Sequence, residues 1–124
     1  MHIEHINISA PMSLLKTTKA FYYDVFGLVE GYRPNFTRAG FWLYSEGKPL
    51  IHLTESNERF PNQTQGYLDH IAFQVTGLDD FLSKLNALSI SFETDHLPEI
   101  GMTQLFFKDP TGIGVEVNFL NESM

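Results

Sequence analysis
The 124-residue chain contains no cysteine. Disulfides, thiolate metal sites and cysteine nucleophiles are therefore excluded. It has no apolar run near the roughly 18 residues that a membrane span needs. The opening segment MHIEHINIS has neither a basic stretch nor a long apolar one, so no signal peptide is expected and a cytoplasmic protein is predicted. Basic residues are scarce: eight Lys and Arg stand against fifteen Asp and Glu, a formal charge of −7. That balance argues against a nucleic-acid backbone or an anionic membrane surface as partner. Aromatic side chains, by contrast, are abundant. Eleven Phe, five Tyr and one Trp bring them to 14% of the chain, which suggests a wide apolar interior or a lined cavity. Hydrophobic residues at 43% argue against intrinsic disorder.

Periodicity predicts two copies of one pattern. Residues 2–9 alternate as a strand, and Ser13 is positioned to cap a helix reaching Phe26, with Gly27 just past its end. Short strands are expected over 28–33, 40–45 and 49–54, the last two joined by the turn Glu46-Gly47-Lys48. The polar stretch 56–66 reads as a linker. The pattern then restarts with a strand over 69–76, a helix carrying Leu78, Phe81, Leu82, Leu85 and Leu88, and strands over 90–94, 103–108 and 114–119. Asp109-Pro110-Thr111-Gly112 predicts a turn between the last two. The expected fold is α+β: one domain of two tandem βαβββ modules, about 1–58 and 66–124.

The repeat is visible in residues. His5-Ile6 and His70-Ile71 open the halves, 65 positions apart. Trp42-Leu43 matches Phe106-Phe107, and Leu50-Ile51-His52-Leu53 matches Gly114-Val115-Glu116-Val117, both at 64. In each half one polar residue interrupts the first strand and one the last: His5 with His52, His70 with Glu116. A lone histidine on a strand is ordinarily just hydrogen-bonded or exposed. Four such residues at repeat-matched positions point to a shared divalent cation, because buried polar groups need partners and a cation would satisfy all four. His5, His70 and Glu116 are the expected ligands, and His52 is either a fourth ligand or a catalytic base. His2 and His96 have no repeat counterpart and are expected at the surface. Arg33, Asn35, Arg38, Thr54, Gln74 and Gln104 are polar candidates to face a pocket.

These motifs, together with Tyr23-Asp24-Val25-Phe26-Gly27-Leu28 and Asp69-His70-Ile71-Ala72-Phe73, resemble the vicinal oxygen chelate superfamily over essentially the whole chain. That superfamily includes glyoxalase I, the bleomycin- and fosfomycin-resistance proteins and the extradiol dioxygenases. The resemblance implies curved mixed sheets around a metal-centred cavity, and a homodimer with one Fe, Mn, Ni, Co or Zn ion. It also implies a small substrate that chelates this ion through adjacent oxygens. It carries the ligand role onto His5, His70 and Glu116. Position 52 divides the branches: glyoxalase I usually has Glu there, whereas the dioxygenases have a histidine acting as acid and base. The dioxygenases also use a tyrosine where this chain has Phe106. A dioxygenase-like or glyoxalase-like enzyme is expected. A non-catalytic binding protein of the bleomycin-resistance type, or a fosfomycin-type thiol transferase, is the alternative.

Overall fold
A computed structural model describes residues 1–56 and 66–124. The expected linker at 56–66 thus lies, apart from its two end residues, outside the described residues. The chain divides into two compact units, Met1–Gln63 and Thr64–Met124. In order they carry β1 (Ile6–Ala10), α1 (Met12–Phe26), β2 (Val29–Gly31), β3 (Gly40–Ser45) and β4 (Lys48–Glu55), then β5 (His70–Gln74), α2 (Leu78–Ala87), β6 (Glu93–Leu97), β7 (Met102–Lys108) and β8 (Gly114–Leu120). A 3₁₀ turn at Pro98–Ile100 links β6 to β7. Each unit is one βαβββ module with a four-stranded mixed sheet, ordered β1-β4-β3-β2 in the first and β5-β8-β7-β6 in the second. No helix among the described residues is long and apolar enough to cross a membrane.

The two sheets repeat one another residue by residue. Ile6 pairs with Ile51 across the parallel β1–β4 ladder, and Ile71 with Val115 across β5–β8. Trp42 faces His52 across the antiparallel β3–β4 ladder as Phe106 faces Glu116 across β7–β8. These are the pairs that the spacings of 65 and 64 predict.

In each unit the helix covers one face of its sheet. Strand side chains alternate between faces, so the apolar set points one way and the polar set the other. Ile8, Leu43, Ile51 and Leu53 are buried with Leu15, Tyr22 and Val25 of α1. In the second unit Leu105, Phe107, Val115, Val117 and Phe119 are buried with Leu78, Phe81 and Leu85 of α2. Phe81 lies edge-on to Phe119, with ring centroids 5.6 Å apart. Among the described aromatic side chains only Tyr22, Phe81, Phe107 and Phe119 are buried, so most of the aromatic excess lies outside the core. The opposite faces are left to Asn7, His52 and Thr54 in one unit and Glu116, Asn118 and Gln104 in the other.

Helix ends explain several boundaries. Gly27 closes α1 at φ 70°, a left-handed conformation that costs glycine little, and its N–H donates to the Tyr23 carbonyl. Ser13 is not the cap. Pro11 occupies that position at φ −58° with no side-chain cap, since its fixed φ and missing N–H suit a helix start. The N-terminus of α2 is instead capped from far along the chain: Glu122 accepts from the N–H groups of Gly77 (3.0 Å) and Leu78 (2.8 Å). A carboxylate there also complements the helix dipole.

Three strands depart from expectation, the first being β1, which begins only at Ile6 rather than at residue 2 and so leaves His5 just outside it. The second strand of the second module in chain order runs over Glu93–Leu97, where 90–94 was expected. Ser89 turns the chain at φ 57° and Ile90 bonds back to Leu85, so pairing with β7 starts only at Glu93. β6 is an edge strand of mostly exposed polar residues, which leaves no apolar alternation to read. β2, also an edge, is shortened to three exposed residues for the same reason.

The predicted turn at 109–112 is a carboxylate-centred one. Asp109 is buried, and its Oδ1 accepts from Thr111 N (2.8 Å), Thr111 Oγ1 (2.6 Å) and Ile113 N (3.1 Å). Gly112 takes φ 91° and donates to the Asp109 carbonyl. Asp109→Ala removes the acceptor for these donors beside the β7–β8 ladder and should cost about 2 kcal/mol. A shift in the urea midpoint at unchanged slope would show it, and an unshifted midpoint would mean that water replaces the carboxylate without loss.

Candidate metal centre and pocket
Each unit brings its own two predicted residues together on the polar face of its sheet. In the second unit His70 opens β5 and Glu116 lies in β8, on strands that pair in parallel. His70 Nε2 stands 3.4 Å from Glu116 Oε1. The other ring nitrogen, Nδ1, donates to Asp69 Oδ2 at 2.7 Å. A carboxylate behind one nitrogen selects the tautomer whose second nitrogen presents a lone pair, the usual support for a metal-bound imidazole. Glu116 is held on its other oxygen: Oε2 accepts from Asn118 Nδ2 (2.8 Å) and Gln104 Nε2 (3.2 Å).

The ladder explains why these amides are there. Asn118 lies two residues beyond Glu116 and so on the same face, and Gln104 is its cross-strand partner. Gln104 was expected to face a pocket, whereas Asn118 was missed. Its signal was present in the alternation of Glu116 and Asn118 with the buried Val115, Val117 and Phe119. The close pairing of β5 and β8 also requires Gly114, because a Cβ there would sit 2.6 Å from the Asp69 carbonyl oxygen and 3.0 Å from the His70 Cβ.

The hydrogen bond that His70 donates to Asp69 raises the His70 pKa above the ordinary 6.5, partly offset by burial, with the Glu116 charge adding to the rise. A raised histidine pKa stabilises the fold while the ring is protonated. That contribution is complete below pH 6.5 and is lost as pH rises through the folded value. Asp69→Asn should therefore move the His70 titration back toward 6.5 in metal-free protein, followed by the NMR shift of its Cε1 proton. An unmoved titration would show that Asp69 does not hold the ring.

In the first unit His5 sits just before β1 and His52 in β4. Their rings stack, centroids 3.8 Å apart and planes 8° from parallel. Trp42 stacks on His52 at 4.0 Å and 13°. His5 Nδ1 donates to Glu4 Oε1 at 3.0 Å. His52 is buried, and its Nε2 has no hydrogen-bond partner among the described residues. The ring also bonds the backbone of Pro49. Proline offers only a carbonyl, so the other nitrogen, Nδ1, is the donor and Nε2 carries the lone pair. Burial first, then the neighbouring His5, push the His52 pKa below 6.5, with Arg33 acting in the same sense. His52 is thus a neutral imidazole at pH 7 with a buried acceptor awaiting a donor or a cation. His2 and His96 are exposed, as expected, and His96 bonds Thr103 Oγ1.

A pocket of about 350 Å³ opens beside His52 in the same unit, lined by Arg33, Phe36, Thr37, Arg38, Trp42 and Thr54 as well. Arg33, Arg38 and Thr54 are among the residues expected to face a pocket.

The donor set suits a divalent cation. Nitrogen and oxygen donors lie about 2.0–2.2 Å from such an ion, so a separation of 3.4 Å is one that two donors on a single ion can have. The imidazoles of His5 and His70 have their Nδ1 engaged by an acceptor, which leaves Nε2 as the nitrogen with a lone pair. Among the described residues, no group of three or more His, Asp or Glu side chains is gathered as a ready metal cage.

No family model matches the chain. A curated Arabidopsis thaliana protein, Glyoxylase I 4, is 29% identical over 94% of this chain and 71% of its own length. Among solved structures, a glyoxalase-family protein from Bacillus anthracis superposes with TM-score 0.74 at 25% identity, covering 97% of this chain and 95% of that one. The fosfomycin resistance protein FosX from Listeria monocytogenes, as an E126Q mutant with Mn(II) and 1S,2S-dihydroxypropylphosphonic acid, also reaches 0.74, at 20% identity over 96% of this chain and 92% of that one. The glyoxylase/bleomycin resistance protein/dioxygenase domain from Frankia sp. EAN1pec gives 0.74 at 22% identity, covering all of this chain and 95% of that one. The tandem βαβββ chain is accordingly a structural relative of the glyoxalase, bleomycin-resistance and fosfomycin-resistance proteins, and its fold is that of the vicinal oxygen chelate superfamily.

Proposed function
We propose that the protein is a metal-dependent enzyme of glyoxalase-like type, acting on a small substrate that chelates through two adjacent oxygens. His5, His70 and Glu116 hold one divalent cation (Fe, Mn, Ni, Co or Zn), and His52 is the base. The observation that carries this reading is the His70–Glu116 pair, 3.4 Å apart, with Asp69 behind the imidazole and two amides behind the carboxylate. When bound, the cation supplies Lewis acidity that stabilises negative charge developing on the substrate oxygens.

The residues of the chain do the rest. Asp69 keeps the His70 lone pair available, and Gln104 and Asn118 orient Glu116. Trp42 and His5 hold the His52 ring between them and keep water off its faces. A homodimer fits the resemblance.

Anaerobic reconstitution with each metal, followed by parallel assays, tests the reading. Thioester formation from a thiol–methylglyoxal adduct is the expected result. Oxygen uptake with a catechol would replace the glyoxalase-like assignment by a dioxygenase-like one. Protein that gains no thermal stability with any of the metals would remove the metal centre and favour a non-catalytic binding protein.

A further inference from the structure
We infer that the pocket beside His52 is a carboxylate-binding subsite, and that the substrate is a small organic acid with a flat apolar body. The inference deepens the proposed function, since it names the substrate class for the site to which His52 belongs. It rests on the loop between β2 and β3. Arg33 and Arg38 both line the pocket, and no acidic residue among the described ones does, in a chain whose formal charge is −7. Arg33 is fixed in place by its neighbours. Its Nη2 donates to the Arg38 carbonyl at 3.0 Å, and its guanidinium lies 4.9 Å from the centroid of the Phe36 ring. Gly40 lets it settle there, since a Cβ at that position would come within 3.0 Å of Nη2 and 2.0 Å of the Leu53 carbonyl oxygen.

The Arg33 Nε is buried with no acceptor among the described residues. A buried guanidinium donor left unpaired is costly, and structures rarely keep one without a reason. A carboxylate in the pocket pairs with the Arg33 and Arg38 guanidinium groups that line it through charge-assisted bonds. His52 Nε2, likewise buried and unpaired among the described residues, belongs to a residue lining the same pocket and has the opposite need: it accepts. The remaining walls suit a planar body. Phe36 and Trp42 are tilted rings 6.0 Å apart, and small-molecule pockets begin at about 300 Å³, below the volume here.

Trp42 is the chain's single tryptophan and lines the pocket, so its fluorescence reports occupancy. The experiment is a titration of chelator-treated, metal-free protein with benzoate and, separately, with benzamide, which has the same ring and no charge. Benzoate should quench Trp42 fluorescence with a Kd at least tenfold below that of benzamide. Arg33→Gln should remove that preference while leaving benzamide unchanged, and Arg33→Lys should restore part of it. Equal affinity for the two compounds in the unaltered protein would overturn the inference without use of any variant. An undiminished preference in a folded Arg33→Gln protein would overturn it too. Because no metal is present, these outcomes are independent of whether His5, His70 and Glu116 bind an ion. Loss of the metal centre with benzoate binding retained would sink the catalytic reading and spare the subsite.

Discussion

Glu116→Gln should leave a folded protein that no longer retains metal. The substitution keeps the side-chain length and removes one negative charge from the proposed ligand set. It also turns an acceptor into a partial donor against the amide groups of Gln104 and Asn118, which now donate to Oε2. One of those amides must rotate or lose its bond, so the substituted side chain cannot hold the geometry of the carboxylate. An amide oxygen is also a much weaker donor to a hard or borderline cation than a carboxylate. Disturbing only the residues behind a ligand commonly costs 10–100-fold in metal affinity, and loss of the ligand itself should cost at least about 100-fold. The check is metal content by elemental analysis after gel filtration, beside a thermal melt to show folding. Full stoichiometric metal in the variant would remove Glu116 from the ligand set and the centre with it.

His52→Ala should leave metal bound and stop turnover. A positioned base contributes about 10²–10⁴-fold, and a loss of that size at unchanged metal content is the expected outcome. The geometry favours a base over a ligand. The ring is stacked flat between His5 and Trp42, and parallel rings send their lone pairs along parallel planes rather than toward one point. Metal lost together with activity would make His52 the fourth ligand instead. The pH profile gives a second measure. Because burial and His5 depress the His52 pKa below 6.5, the base form predominates at pH 7. The rate should be flat there and fall only as pH drops through the depressed value. His70 runs the other way: its raised pKa means that protons compete with metal up to above pH 6.5, so metal affinity should climb with pH through that value.

Histidines 5, 52 and 70 and Glu116 could be singled out because a duplicated module repeats its polar interruptions along with its core. The two spacings of 65 and 64 are visible as strand registers, Ile6 with Ile51 and Ile71 with Val115. Edge strands were the least legible elements. β6 carries Glu93, Thr94, Asp95 and His96, and its strand character comes from hydrogen bonds to β7 rather than from any pattern of its own. The Glu122 cap on α2 was equally invisible, since it joins residues 44 and 45 positions apart.

Local pattern by itself determined the fold class, the duplication and the candidate donors. Period-two alternation and turn chemistry act over a few residues, and a repeat multiplies their signal. Tertiary structure alone decided what surrounds each donor. It set Asp69 behind His70, laid His52 between two rings with one nitrogen unpaired, and buried Arg33 Nε without an acceptor among the described residues. Protonation, tautomer and unmet hydrogen bonds depend on which groups meet across strands and loops, and no count along the chain contains that.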